Sequence, residues 1–196
     1  MGSLMRLLHY SKTFNTTVEV KRSKFISYIM PYGDFKIELE RLKQQHPKAR
    51  HFVYAWRTLN EHSQIVEQSS DDGEPRGTSG KPTLNVLQGN SLIDIAVITV
   101  RYFGGTKLGT GGLVRAYSDA TNSVIDSVEF KEYIAKTSVD MRVEYSQFEK
   151  FKYLLSSYEA EIKSQEFLTD FIKIELDIAL ESKEKFIELA KPLFYI

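Results

Sequence analysis

The hydrophobic pattern of the first two thirds of the chain predicts a sheet of short strands. Val18–Val20 and Lys24–Met30 mix apolar and polar positions on either side of a charged turn at Lys21–Ser23. Ile95–Phe103 is a nearly continuous apolar run rich in β-branched residues, which is typical of a central strand. His51–Leu59 and Gln64–Gln68 are predicted to form a hairpin.

Helices are predicted between these strands. Asp34 is suited to cap a helix that Pro47 ends, and Thr83–Leu87 is a short helical segment. Thr110 is predicted to cap a longer helix. The apolar positions of that helix recur on one face at Leu113, Tyr117, Ala120, Val124 and Val128.

The last third of the chain predicts a separate β-α-β-β-α unit. Val139–Tyr145 alternates as a strand, and Ser146–Glu149 is predicted to form a capping box at the start of a helix. A weak strand over Glu161–Phe167 precedes a strong one over Ile172–Leu180. Ser182 is predicted to cap a last helix, which carries Phe186, Ile187, Ala190 and Leu193.

Charge supports a boundary near residue 134. Residues 1–133 hold 17 Lys and Arg against 14 Asp and Glu, a net charge of +3, and residues 134–196 hold 9 against 12, a net charge of −3. A neutral chain is not steered as a whole onto nucleic acid, so any polyanion site must be local. The chain has no cysteine, and its N-terminal apolar stretch is too short for a signal peptide, so we expect a cytosolic protein without a membrane segment.

A polar segment over Ser69–Pro82 is a candidate binding loop. Its carboxylates at Asp71, Asp72 and Glu74 suit a divalent cation, but their spacing is not that of an EF-hand, and solvated or turn-forming acids are the favoured interpretation. Ser70 and Ser79 lack the surroundings of a nucleophile elbow. No metal or cofactor is therefore predicted.

The segment Gly104–Gly112, called here the glycine loop, holds five of the eleven glycines of the chain. It lies between a predicted strand and a helix N-terminus, where unpaired backbone N–H groups and the helix dipole favour an anion. Arg101, Lys107 and Arg115 are cations that could surround a phosphate. The alternative is that the glycines only allow close packing of the helix on the sheet.

Familiar nucleotide and RNA signatures are absent. Thr110 stands where a Walker A motif needs lysine, and Val114 stands where a dinucleotide fingerprint needs its last glycine. The basic-glycine-aromatic run of an RRM is also missing. Tyr102 and Phe103 are placed to stack on bases, although a core role is at least as well supported. A structural or surface role is favoured for His51 and His62.

The segments Asp71–Pro75, Gly77–Pro82 and Val100–Tyr117 resemble hallmark segments of the IMPACT/YigZ family. The resemblance implies an N-terminal α/β domain similar to the second domain of a small-subunit ribosomal protein, a fold shared with elongation factor G and small-molecule kinases. It also implies a ferredoxin-like C-terminal domain, which bacterial members carry. For those members it implies RNA- or ribosome-linked regulation, inferred mostly from fold.

We therefore predict an α+β protein with an IMPACT-like domain over residues 1–133 and a ferredoxin-like domain over residues 134–196. The leading hypothesis is a cytoplasmic protein that binds RNA or the ribosome and regulates translation. A protein partner is compatible with this hypothesis. The alternative is an enzyme acting on a phosphorylated small molecule in the same pocket, with Asp72 or Glu74 as metal ligand or base. A third hypothesis is a protein-interaction module.

The predicted ligand-binding residues fall in two groups. The first group surrounds the glycine loop and comprises Arg101, Tyr102, Gly104, Gly105, Lys107, Gly109, Gly111, Gly112 and Arg115. The second group lies in the polar segment and comprises Asp72, Gly73, Glu74, Ser79 and Lys81.

Overall fold

The computed structural model describes residues 4–9, 11–158 and 160–191, together with the backbone of residues 194 and 195. The chain divides into two compact units, Met1–Tyr133 and Ile134–Ile196. No helix within the described ranges is long and apolar enough to cross a membrane.

The first unit is built on a five-stranded antiparallel sheet in the order β2-β3-β6-β4-β5, with a separate ribbon of β1 and β7. Its elements are β1 (Arg6–Leu8), β2 (Phe14–Val20), β3 (Ser23–Pro31), α1 (Phe35–Gln45), β4 (His51–Leu59), β5 (Ile65–Ser70), α2 (Gly80–Gly89), β6 (Ile95–Tyr102), α3 (Thr110–Asp126) and β7 (Phe130–Glu132).

Helices cover both faces of this sheet. On one face Phe35 and Leu42 of α1 pack with Met30, Phe52 and Ile98 of the strands. On the other face, α2 and α3 pack against the sheet through two clusters of buried side chains. Strand β6 lies between β3 and β4, and residues 95–101 are buried because helices cover both faces of the sheet.

The predicted strands and helices of the first unit are present, with different ends. Helix α2 is longer than the predicted Thr83–Leu87 because Pro82 lies in its first turn, where a missing N–H costs nothing. The polar segment shrinks to a loop over residues 71–79, called here the acidic loop, because Ser69 and Ser70 pair with β4. Asp34 does precede α1, but its side chain makes no capping hydrogen bond.

Thr110 is not an N-cap. Helix α3 begins at Thr110, and the capping position is occupied by Gly109, whose φ of 73° is in the left-handed region that favours glycine. The Gly109 carbonyl accepts a hydrogen bond from the Leu113 amide at 2.9 Å. The prediction of a threonine side-chain cap was wrong because a glycine turn leads directly into the helix. Val128 lies beyond the helix, and Leu113 and Tyr117 are buried as predicted.

The second unit has helices and strands in the order β-α-β-β-α-β. Its sheet is antiparallel, in the order β11-β8-β10-β9, so the predicted unit gains one short strand. The elements are β8 (Lys136–Val143), α4 (Phe148–Leu155), β9 (Ala160–Phe167), β10 (Ile172–Ala179), α5 (Lys183–Ala190) and β11 (Phe194–Tyr195). Phe151 and Phe186 of the helices pack on the buried face of β8 and β10.

The helix caps predicted in the second unit are absent. Helix α4 begins at Phe148 after a single 3₁₀ turn, and the Ser146 hydroxyl lies 3.4 Å from the Glu144 carboxylate, so the capping box was wrong. Ser182 does precede α5, but its side chain makes no capping hydrogen bond. Leu193, predicted in the last helix, lies outside the described residues.

Candidate functional site

The acidic loop is held by its own first carboxylate. Asp71 accepts hydrogen bonds from the backbone amides of Gly77, Ser79 and Gly80 at 2.8, 3.0 and 2.9 Å. Those amides lie at the N-terminus of α2, where a helix leaves donors without intrahelical partners. Asp71 therefore caps α2 from outside the helix and closes the loop onto its end.

The second carboxylate fixes the loop to the edge of β4. The Asp72 carboxylate accepts a hydrogen bond from the Phe52 amide at 2.6 Å. The backbone carbonyl oxygen of Asp72 accepts a hydrogen bond from Nδ1 of His51 at 2.8 Å. Asp72 has a φ of 42° and Gly73 a φ of 83°, so the chain turns sharply at this point. The Asp72 carboxylate thus supplies a structural contact.

The third carboxylate forms a buried ion pair. An Oε1 of Glu74 lies 2.5 Å from Nη1 of Arg101, and the two side chains are only 4% and 7% exposed. The Tyr117 hydroxyl donates a hydrogen bond to the same oxygen at 2.8 Å. Burial, and next the charge of Glu74, raise the pKa of Tyr117 far above its usual range, so the hydroxyl stays protonated and keeps donating.

Arg101 retains an unsatisfied donor. Its Nε is buried and has no hydrogen-bond partner among the described residues. Its guanidinium carbon lies 5.4 Å from the centre of the Phe25 ring and 5.7 Å from the centre of the Phe103 ring. A buried donor without an acceptor is costly, and such groups are rare in folded proteins. Arg101 is therefore anchored at one nitrogen, while a second nitrogen is buried without an acceptor among the described residues.

The glycine loop starts with a close backbone contact. A Cβ on Gly104 would lie 2.0 Å from the carbonyl carbon of Arg22, so no larger residue fits without movement of the β2–β3 turn. The Gly104 amide donates to Oγ of Ser23 at 3.1 Å. Gly105 and Gly109 have φ values of 86° and 73°.

Beyond Gly104, the amides of the glycine loop lack internal acceptors. From Gly105 to Gly112, no backbone N–H donates a hydrogen bond within the part of the chain that the structure describes. The amides of residues 110–112 lie in the first turn of α3, where the helix itself offers no acceptor. The structure thus leaves a run of donors at the positive end of a helix dipole.

Two neighbouring clefts open beside Arg101. The first, called here the loop cleft, has a volume of about 380 Å³ and is lined by Glu74, Pro75, Arg101, Phe103, Lys107–Thr110 and Leu113. The second, called here the basic cleft, has a volume of about 410 Å³ and is lined by Lys48, Arg50, His51, Arg101, Tyr102 and Phe103. Arg101 and Phe103 belong to both, and the acidic and glycine loops share the loop cleft.

The structure brings together part of the predicted site. Arg101, Lys107, Gly109 and Glu74 line the loop cleft, and Tyr102 lines the basic cleft. The other predicted residues do not line either cleft: Asp72, Gly73, Ser79, Lys81, Gly104, Gly105, Gly111, Gly112 and Arg115. Ser79 is fully buried, and the exposed cations Lys81 and Arg115 lie on helix surfaces away from the two clefts.

Sequence reasoning missed the cations of the basic cleft. Lys48, Arg50 and His51 precede or begin β4, and the pairing of His51 with Arg101 across β4 and β6 brings them to the end of the central strand. Three basic residues within four positions after Pro47 were a visible signal. Their nearness to Arg101 depends on strand pairing, which local patterns do not give.

Hydrogen bonds through His46 fix the position of Tyr102, which lines the basic cleft. Its hydroxyl lies 2.9 Å from Nδ1 of His46, and Nε2 of His46 lies 2.9 Å from the Tyr28 hydroxyl. Burial, and then the charges of Arg41 and Lys24, lower the pKa of His46. The neutral ring therefore bridges two tyrosines and fixes the position of Tyr102.

Comparisons with known proteins place both loops in a known family region. The Impact N-terminal domain model matches residues 21–125, and a domain of unknown function, DUF1949, matches residues 141–190. A crystal structure of a hypothetical protein aligns with a TM-score of 0.66 and 28% identity, covering 97% of this chain and 93% of that one.

Curated relatives that align with this chain over most of their length are named as IMPACT family members. An IMPACT family member from Haemophilus influenzae is 37% identical over 171 residues, which cover 86% of this chain and 82% of the relative. The IMPACT family member YigZ of Escherichia coli is 34% identical over 152 residues, which cover 76% and 74% of the two chains. With its N-terminal domain matched by the family model and these relatives aligned along both loops, the chain belongs to the IMPACT family.

Proposed function

We propose that this protein binds RNA, free or within the ribosome, through the loop cleft and the basic cleft of the first unit, and thereby acts in the regulation of translation. The observation that carries the proposal is the set of unsatisfied donors beside Arg101. The buried Nε of Arg101 and the backbone amides of residues 107–110, which line the loop cleft, lack acceptors among the described residues. Phosphate oxygens satisfy such donors well.

Charge favours a polyanion in these clefts. The basic cleft is lined by Lys48, Arg50 and Arg101 and by no carboxylate. In the loop cleft the single carboxylate, Glu74, is already paired with Arg101, while Lys107 remains without an ion-pair partner among the described residues. Two adjoining cationic clefts suit successive phosphates of one strand better than one isolated phosphate.

An enzyme acting on a phosphorylated small molecule has less support. Asp72 and Glu74, the residues predicted as metal ligand or base, accept hydrogen bonds from Phe52, Arg101 and Tyr117. A carboxylate committed to a buried guanidinium is a poor base, since proton uptake would leave that guanidinium unpaired. The geometry therefore favours binding over catalysis.

We also propose a fold assignment for each of the two units from its strand topology. Numbered along the second unit, the strands have the order 4-1-3-2 in an antiparallel β-α-β-β-α-β arrangement, which supports a ferredoxin-like domain over residues 134–196. The antiparallel sheet of the first unit, with helices on both faces, is compatible with a ribosomal-protein-like domain over residues 1–133. A translation role implies a cytoplasmic location.

Salt-dependent RNA binding tests the proposal. Wild type is compared with Lys107→Ala by fluorescence anisotropy on a labelled oligouridylate of about ten nucleotides. Loss of one phosphate contact is expected to weaken binding and to reduce the slope of log K against log salt by about 1. Lys81→Ala is the matched control, because Lys81 is also exposed but lines neither cleft. No binding at low salt, or equal loss in both variants, would refute the proposal.

A further inference from the structure

An exposed aromatic ring separates the two cationic clefts. Phe103 is 57% exposed, although a large apolar side chain gains free energy from burial. It lines both the loop cleft and the basic cleft, and the Arg101 guanidinium lies over the ring at 5.7 Å from its centre. An exposed ring backed by a cation, between two sites for phosphate, is the arrangement of a stacking platform.

From this arrangement we infer that the clefts recognise single-stranded RNA, with one base stacked on Phe103 and the two flanking phosphates held in the basic cleft and the loop cleft. The inference rests on the proposed function and adds the strandedness and the base contact. A base within a duplex has its faces covered by its neighbours, so it is not available to Phe103 without unstacking. The site therefore discriminates against duplex RNA.

Each cleft supplies its own contacts to the backbone. In the basic cleft the cations are the side chains of Lys48 and Arg50, which follow α1. In the loop cleft the donors are the Lys107 side chain and the backbone amides of residues 107–110. Arg101, whose buried Nε has no partner among the described residues, lines both clefts. A strand that crosses Phe103 thus meets cationic groups on both sides of the stacked base.

Among the described residues of the second unit, the cleft on the open face of the sheet is acidic. A cleft of about 170 Å³ on that sheet is lined by three carboxylates, Asp140, Glu166 and Glu175, against one lysine, Lys173. A cleft with this net negative charge repels phosphate. Phe167 is 58% exposed in the same unit, where it packs beside Tyr145 at 6.4 Å between ring centres, and it lines neither the loop cleft nor the basic cleft. Phe167 therefore serves as a matched control for Phe103.

The test measures binding of a labelled single-stranded oligouridylate and of a blunt RNA hairpin, whose loop is a non-nucleotide linker, to wild type, Phe103→Ala, Phe103→Tyr and Phe167→Ala. Loss of one stacked base is expected to weaken single-strand binding about 5- to 100-fold in Phe103→Ala, with the salt slope unchanged because no charge is removed. Phe103→Tyr keeps the ring and is expected to bind as wild type does. Phe167→Ala is expected to have no effect.

The outcomes separate this inference from the proposed function. If Lys107→Ala weakens binding while Phe103→Ala does not, the proposed RNA binding is supported and the stacking of a base on Phe103 is refuted. Equal affinity for hairpin and single strand, or equal loss on both in Phe103→Ala, also overturns the inference. If wild type binds neither RNA at low salt, both the proposed function and this inference fail.

Discussion

The acidic loop and the glycine loop line one cleft, but they use their polar groups in opposite ways. Each carboxylate of the acidic loop accepts hydrogen bonds from the protein itself: Asp71 from three amides, Asp72 from Phe52, and Glu74 from Arg101 and Tyr117. In the glycine loop the amides from Gly105 to Gly112 have no acceptor within the described residues. One loop is internally satisfied and the other is not.

This difference separates scaffold from binding surface. The acidic residues were predicted to be solvated or turn-forming, with metal ligation or base chemistry as the alternative, and their hydrogen-bond partners make them structural. The glycine loop was predicted to bind an anion, with close packing as the alternative, and Gly104 makes a close backbone contact while the amides after it have no acceptor among the described residues. Because most residues of the glycine loop are exposed, its amides are open to a ligand, whereas the amides held by Asp71 already have an acceptor.

The largest expected effect comes from the buried ion pair of the acidic loop. Glu74→Ala leaves the Arg101 guanidinium buried without its carboxylate, which is expected to cost about 3–5 kcal/mol in the free energy of unfolding. Tyr117→Phe removes one hydrogen bond to the same carboxylate and is expected to cost about 1–3 kcal/mol. Urea denaturation measures both. Equal stability of Glu74→Ala and wild type would mean that Glu74 is not a structural residue.

Gly104 and Gly111 sharpen the comparison within the glycine loop. Gly104→Ala places a Cβ against the Arg22 backbone, and we expect a loss of about 1–3 kcal/mol in the free energy of unfolding. Gly111 has open space around it, so Gly111→Ala is expected to stay within about 0.5 kcal/mol of wild type. Thermal and urea unfolding compare the two variants. Similar losses in both would contradict the close packing at Gly104 and the open space at Gly111.

The cap on α2 is expected to contribute less. Asp71→Ala removes the acceptor of the Gly77, Ser79 and Gly80 amides and is expected to cost about 1–2 kcal/mol. Asp71→Asn keeps one acceptor oxygen and is expected to lose only part of that. Hydrogen exchange should show faster exchange of the three amides in Asp71→Ala. Unchanged protection would show that other contacts hold the loop.

Much of the fold was predictable because it follows from local periodicity. The continuous apolar run of β6 and the alternation of β10 each implied their burial, and both strands lie where they were predicted. Cap chemistry was less predictable. Thr110, Ser146 and Ser182 have the right residue types, but the helices begin with a glycine turn or a 3₁₀ turn instead.

The site was only partly predictable because its parts come from distant segments. Arg101 and Lys107 are close in sequence and were grouped with the glycine loop. The pairing of Glu74 with Arg101 joins residues 27 positions apart, and the approach of Lys48 and Arg50 depends on the register of β4 against β6. Neither follows from a local pattern, since both result from how the sheet assembles.

An NMR titration tests whether the glycine loop, and not the acidic loop, receives the ligand, because it observes the amides of both loops in one experiment. Unlabelled oligouridylate is added to ¹⁵N-labelled protein, and the glycine amide resonances are followed. A saturable shift is expected for Gly109, which lines the loop cleft and whose amide has no acceptor among the described residues, while Gly77 and Gly80, held by Asp71, stay in place. Shifts confined to Gly77 and Gly80, or no shifts at all, would contradict the account.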